Sequence, residues 1–141
     1  MGDFKVDLEK SKPAVDEFCA FLNSLYANTF GVCTVTKGYD TKGDTYSPKK
    51  DLYFEVKHDL QADTTGNFFI EVGGLEKSGS AFYVYVDGSN YYITNTEKLR
   101  ELCKGRRIVM GGDNKSFEGW LIRREEMKKI SSIYPRRSIK Q

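Results

Sequence analysis

Leu52-Tyr53-Phe54-Glu55-Val56-Lys57 is the stretch whose reading decides the fold. Side chains alternate across a β-strand, so Leu52, Phe54 and Val56 fall on one face and Tyr53, Glu55 and Lys57 on the other. The first face suits a core, and the second sets an acid and a lysine side by side. Upstream, Gly38-Tyr39-Asp40 through Lys50 is rich in turn residues, including Gly43, Ser47 and Pro48, and predicts a loop or short strand feeding a hairpin into this strand. Gly31-Val32-Cys33-Thr34-Val35-Thr36 is β-prone. Farther out, Ser11 and Pro13 mark a helix start, and Val15, Phe18, Leu22, Leu25 and Tyr26 recur at helical steps, predicting a first helix over about residues 12–28.

Downstream, Phe68-Phe69-Ile70-Glu71-Val72 reads as a strand that ends at a glycine-rich break. Ala81 to Val86 and Tyr91-Tyr92-Ile93 read as a hairpin closed by Asp87-Gly88-Ser89-Asn90. Thr94-Asn95-Thr96-Glu97 has capping-box spacing, Leu99, Leu102 and Cys103 form a stripe, and Gly105 suits a helix stop. A short strand over 107–110 ends at Gly111-Gly112, and Met127, Ile130 and Ile133 or Tyr134 predict a last helix ending before Pro135. The expectation is one α/β domain over residues 1–141, with a mixed central sheet of about five strands flanked by helices and a basic tail from about residue 135.

Composition supports a folded chain: 39% hydrophobic residues, with nine Phe and nine Tyr, supply a core without staples. Cys19, Cys33 and Cys103 are odd in number and widely spaced, which excludes a disulfide framework or zinc cluster and fits a reducing compartment. With no apolar leader and no membrane-length apolar run, the expected location is cytoplasmic. The net charge of +2 hides an asymmetry, because Lys128, Lys129, Arg136, Arg137 and Lys140 follow Glu126 with no acid among them. Such an end either contacts phosphates or serves solubility.

Hydrolysis of a phosphodiester with a divalent ion needs oxygen ligands for a hard cation and a positive group for the developing charge. Glu55 and Lys57 meet part of that need. A hairpin turn centred near Pro48 and Lys49 would bring Asp40 opposite about Lys57, with Asp44 opposite about Tyr53 and Asp51 on the wrong parity. Glu71 either completes the site or pairs with a lysine. His58, beside Lys57, points to the opposite face and reads as a core or edge histidine. The competing reading of Glu55 and Lys57 is a surface ion pair contributing about 0–1 kcal/mol.

An aspartate some fifteen residues before E-x-K, behind an N-terminal helix, resembles the PD-(D/E)xK nuclease superfamily. Glu55-Val56-Lys57-His58-Asp59 followed by Thr65-Gly66-Asn67-Phe68-Phe69-Ile70-Glu71 is similar to small phage-encoded members, and the likeness covers about residues 38–122. The chain departs from the pattern in having no literal Pro-Asp, so Asp40, Asp44 and Asp51 stay open as the first aspartate. The resemblance implies a restriction-endonuclease-like core and a hydrolase that cuts nucleic acid, DNA rather than RNA, with Mg²⁺ or Mn²⁺. Asp40, Glu55 and Lys57 would be its catalytic residues. Asp40, Glu55 and Glu71 would hold metal, with Glu17 on the first helix as a further ligand. The alternative is a non-catalytic protein that binds nucleic acid or a protein partner on a nuclease-like fold. The sequence leaves a homodimer open.

Overall fold

A computed structural model describes residues 2–37, 42–112 and 115–136, with side chains from residue 13 onward. The chain begins with helix α1 (Gly2–Leu25) and the single turn α2 (Ala27–Phe30). Then come strands β1 (Thr34–Val35), β2 (Thr45–Ser47) and β3 (Leu52–His58). A crossover of α3 (Ala62–Thr65), β4 (Asn67–Glu71) and α4 (Val72–Lys77) leads to β5 (Phe82–Val86). The rest is β6 (Asn90–Asn95), α5 (Thr96–Cys103), β7 (Val109–Gly111), β8 (Phe117–Arg123), α6 (Arg124–Ile130) and β9 (Ser131–Pro135).

The central sheet has six strands in the order β1-β2-β3-β5-β6-β9, antiparallel except where β3 lies parallel to β5. A parallel pair needs a long connection, and residues 59–81 supply it. That connection contributes β4 to a second sheet, β4-β8-β7, instead of joining the first. The fold is therefore α/β with a mixed central sheet flanked by helices, as the alternation of elements predicts, and with one more strand than expected.

Alternation along β3 decides the layers. Phe54 and Val56 are 1% and 3% exposed and join Phe18, Leu22, Val84 and Tyr91 in a core between the sheet and α1. The Phe54 ring meets Phe18 edge-on at 5.4 Å and stacks on Phe82 at 5.3 Å. The opposite face of the sheet carries Tyr83, Tyr85 and Tyr92 into a second core with Phe68, Ile70 and Ile122 from the small sheet. Leu99, Cys103 and Met127 close that core from α5 and α6.

Local chemistry sets the boundaries. Asp87 closes the β5–β6 turn by accepting from Ser89 N–H and Asn90 N–H, both at 2.8 Å. Asn95 caps α5 by accepting from Glu97 N–H at 2.8 Å and Lys98 N–H at 3.2 Å. Three expectations change. The first helix starts at Gly2 and ends at Leu25, earlier at both ends than expected. The break at Gly73-Gly74 is a helix, because Leu75 is driven into the second core at 1% exposure. The last predicted helix stops at Ile130, because residues 131–135 pair with β6 and so cover what would be an open sheet edge. Tyr134 then lies opposite Tyr91 and packs its ring against Phe21 and Tyr26.

Among the described residues no helix is long and apolar enough to cross a membrane. Cys19, Cys33 and Cys103 are free and buried.

Phe54 touches rings from α1, α2 and β5 at once, so Phe54→Ala leaves a cavity that backbone collapse cannot fill. Urea unfolding of this variant is expected to show a loss of about 3–5 kcal/mol with an unchanged slope.

Candidate functional site

Glu55 and Lys57 project from β3 on the face away from α1, and their side chains form an ion pair, Lys57 Nζ to Glu55 Oε2, at 3.1 Å. They are 23% and 42% exposed respectively, so the pair borders solvent at the rim of the second core. The β2–β3 hairpin brings a second carboxylate to them. Ser47 pairs with Leu52 and Tyr46 with Tyr53, which closes a turn over residues 48–51 with Asp51 in the left-handed region at φ 54°. The expected turn centre is thereby displaced by one residue, and the register by two.

Asp44, expected opposite Tyr53, consequently lies beside Glu55. Its own N–H donates to Phe54 O at 2.8 Å, and its carbonyl accepts from Thr36 N–H at 2.9 Å. The ladder stops there. The Val56 N–H one step beyond is met by the Asp44 side chain, through Oδ2 at 2.8 Å. Gly43 allows this close approach, since a Cβ at that position would lie 2.8 Å from Tyr53 Cβ and 2.9 Å from Phe54 O. Ser80 Oγ donates to Lys42 O at 2.5 Å and fastens the same segment to the start of β5.

The electrostatics follow from this crowding. Burial, and then the charge of Glu55, push the Asp44 carboxyl up to about 6, against the opposing effects of the Val56 N–H and Lys57. Burial pushes the Lys57 ammonium down, but Glu55, Tyr83 and Asp44 outweigh it and leave its pKa above the ordinary value. Tyr83 lies opposite Glu55 in the parallel β3–β5 register, and burial and the Glu55 charge raise its hydroxyl. Two mutually repelling carboxylates, a lysine held as a cation and a protonated phenol therefore share one rim.

The other expected site residues fall as follows. Asp40 lies outside the described residues. Asp51 sits in the turn, where its carboxylate accepts from the Tyr46 hydroxyl at 2.7 Å. Glu71 ends β4 near the same rim: a Cβ at Gly74 would lie 3.8 Å from Glu71 Oε1 and 3.9 Å from the Tyr83 hydroxyl. Glu17 is not brought to the site. It lies on α1, across the sheet from Glu55, in a two-pronged pair with Arg136, Nε to Oε2 at 2.8 Å and Nη2 to Oε1 at 2.7 Å. It also accepts from the Tyr91 hydroxyl. Burial raises its pKa, but Arg136 and Tyr91 more than offset that and hold it below the carboxylate range.

Arg136 is likewise not free for phosphate. It also donates to Asp87 O at 2.8 Å, and its N–H to Ser89 O at 2.9 Å, which ties the residue after β9 to the β5–β6 turn. Lys128 and Lys129 are exposed on α6, whereas Arg137 and Lys140 lie outside the described residues. His58 is half-buried on the α1 face, and burial together with Arg136 lowers its pKa.

Among the described residues no three Asp, Glu, His or Cys side chains are grouped closely enough to form a ready-made metal cage. Two carboxylates still suit Mg²⁺, which keeps most of its waters and commonly takes one or two protein carboxylates plus substrate phosphate. The raised Asp44 pKa reflects burial first and the Glu55 charge second, with Lys57 only partly offsetting them. Comparison with family models, with curated proteins and with solved structures gives no match.

Because the folded-state pKa of Asp44, about 6, lies above its ordinary 3.8, ionising Asp44 destabilises the fold. The stability it withholds is present below pH 3.8 and is lost as pH rises through 6. Asp44→Asn should therefore gain on the order of 1–3 kcal/mol over wild type at about pH 8, shrinking toward zero near pH 4, in urea unfolding across pH. A difference that stays flat with pH would mean that Asp44 ionises freely. Glu17→Gln should lower stability at neutral pH and leave divalent-ion affinity, read by calorimetry, unchanged.

Proposed function

We propose that this chain is a divalent-metal-dependent nuclease of the PD-(D/E)xK kind, with Asp44, Glu55 and Lys57 as its working residues and DNA as its substrate by the resemblance. The observation that carries the reading is that Asp44 sits beside Glu55 and Lys57: an aspartate just before β2, bonded through its side chain to Val56 N–H, and E-x-K on the antiparallel β3. An ordinary surface ion pair has no use for a second carboxylate desolvated beside it, because that arrangement costs stability.

A divalent ion bound there would polarise the scissile phosphate and lower the pKa of a bound water. Asp44 is presented with Oδ2 committed to Val56 N–H, so Oδ1 is the oxygen it would offer to an ion. Glu55 supplies the second anionic oxygen and holds Lys57 in place. Lys57 remains a cation at neutral pH because its pKa is raised, so its role is to orient the attacking water and stabilise charge on the phosphate, not to act as a base. Tyr83 keeps its proton for the same reason and can donate a hydrogen bond at the edge of the site. In this reading Asp44 takes the part of first aspartate, and Glu71 stands at the site's margin.

A second reading, a non-catalytic binding protein on this fold, rests on there being only two carboxylates at the site among the described residues.

Cleavage of single- and double-stranded DNA with Mg²⁺ or Mn²⁺, measured alongside ion titration, separates the two. Glu55→Ala is expected to abolish both ion binding and cleavage, since no water replaces an anionic ligand in charge. Lys57→Ala is expected to keep ion binding and lose roughly 100-fold or more of the rate, as its charge matters mainly in the transition state. A wild-type protein that binds no divalent ion and cuts nothing leaves the binding-protein reading in place.

A further inference from the structure

Among the described residues, the outer face of the small sheet leaves large apolar side chains open to solvent. Cross-strand pairing puts Phe69, Leu121, Phe117 and Val109 on this face, opposite to Ile70, Trp120 and Ile122, which point into the second core. Phe117 is 43% exposed and Leu121 49%. Glycines shape the surface. A Cβ at Gly119 would come within 2.3 Å of the Phe69 ring, and one at Gly111 within 2.4 Å, so Phe69 lies down over both strands only because neither position has a side chain. At Gly112, in the left-handed region with φ 75°, a Cβ would likewise meet the Phe117 ring at 2.8 Å. Two aromatic rings thus rest close on bare backbone, where a branched or long neighbour would hide them.

The rim of this face is basic. Arg107, Lys115 and Arg123 are all exposed; Arg123, 74% exposed at its side chain, has Glu126 at 3.9 Å, a long pair that leaves most of its guanidinium open. Among the described residues in the three strands, the one acid of that face is Glu71. Glu71 lies two residues along β4 from Phe69, about 7 Å at the strand rise, and its carboxylate flanks Gly74 on one side with the hydroxyl of Tyr83, the residue paired with Glu55, on the other.

The geometry points to a stacking platform for single-stranded nucleic acid: bases lie on Phe117 and Phe69, phosphates meet Arg107, Lys115 and Arg123, and the strand leads past Glu71 toward Lys57. Flat exposed rings within a cationic border are what a single strand needs, because every base offers a π-face whatever its sequence and the backbone requires neutralisation. A duplex keeps its bases stacked on one another and gains only the phosphate contacts. A second copy of this chain would set one basic rim against another. The proposal deepens the nuclease reading by naming a single-stranded substrate, and rests on it only for what happens at the Lys57 end.

The test is equilibrium binding, by fluorescence anisotropy, of a short labelled oligodeoxythymidylate and of a duplex to the full-length protein in chelator, where no cleavage occurs. Phe117→Leu keeps the apolar volume and removes the π-face, and Phe117→Trp restores it. The leucine variant is expected to bind the single strand roughly 5- to 100-fold more weakly while its duplex binding stays unchanged. The tryptophan variant should bind like wild type, with indole fluorescence quenched by the oligonucleotide. Arg123→Gln should flatten the salt dependence of binding. Wild-type affinity in Phe117→Leu, or equal losses on duplex and single strand, overturns the platform. So does a protein dimer, seen by sedimentation, that Leu121→Ser dissociates, since that gives the face to a second copy. Binding that follows these expectations in a wild type that never cleaves leaves the platform standing and removes the nuclease reading alone. Cleavage with unperturbed Phe117→Leu binding does the reverse.

Discussion

The parallel pairing of β3 with β5 is the constraint on which the other features depend. It places β3 inside the sheet, so both of its faces meet other layers, and one face has to carry Phe54 and Val56 against α1. It also requires a long crossover, and the crossover leaves β4 in a second sheet that packs on the far face. Glu55 and Lys57 therefore emerge not on an open surface but at the margin of a second core, beside Tyr83 of the paired strand. A charged pair in such a place is partly desolvated by the architecture itself.

That desolvation gives the site its character. A carboxylate and a lysine alone would neutralise one another at little net cost or gain. Asp44 breaks the balance, because its carboxylate stands in for a missing ladder partner at Val56 and cannot retreat from Glu55 without leaving that N–H unpaired. The fold thus retains an excess negative charge where burial disfavours it, and Asp44 answers with a pKa raised to about 6. On the other side of the sheet the same chemistry is fully satisfied: Glu17 has Arg136 and Tyr91, and together they lock the last described residue to the first helix.

What the sequence disclosed, and what it withheld, divides along the range of the interactions. The alternation of Leu52 to Lys57, the turn at Asp87 and the helix behind Asn95 are local, and they read correctly from residue type and spacing. The register of the β2–β3 hairpin did not, because it hinges on Asp51 adopting a left-handed conformation, which residue type alone leaves open. The signal that points to Asp44 is Gly43 before it, a glycine needed for close backbone approach, whereas Asp40 follows only from a turn centred on Pro48 and Lys49. Glu17 looked available on the first helix until folding supplied Arg136 from a position 119 residues away. Residues 131–135 kept an apolar spacing compatible with a helix, and only the open edge of β6 makes them a strand. In each such case a partner distant in sequence overrides a local preference.

The claim that Asp44, Glu55 and Lys57 form a divalent-cation site is tested most directly by paramagnetic broadening of the backbone amide spectrum on addition of substoichiometric Mn²⁺. The account predicts selective loss of the signals of residues 43–45, 55–57 and 83, with the α1 face around Glu17 untouched. Broadening centred on Glu17, or spread evenly over the exposed carboxylates of α5 and α6, would contradict it.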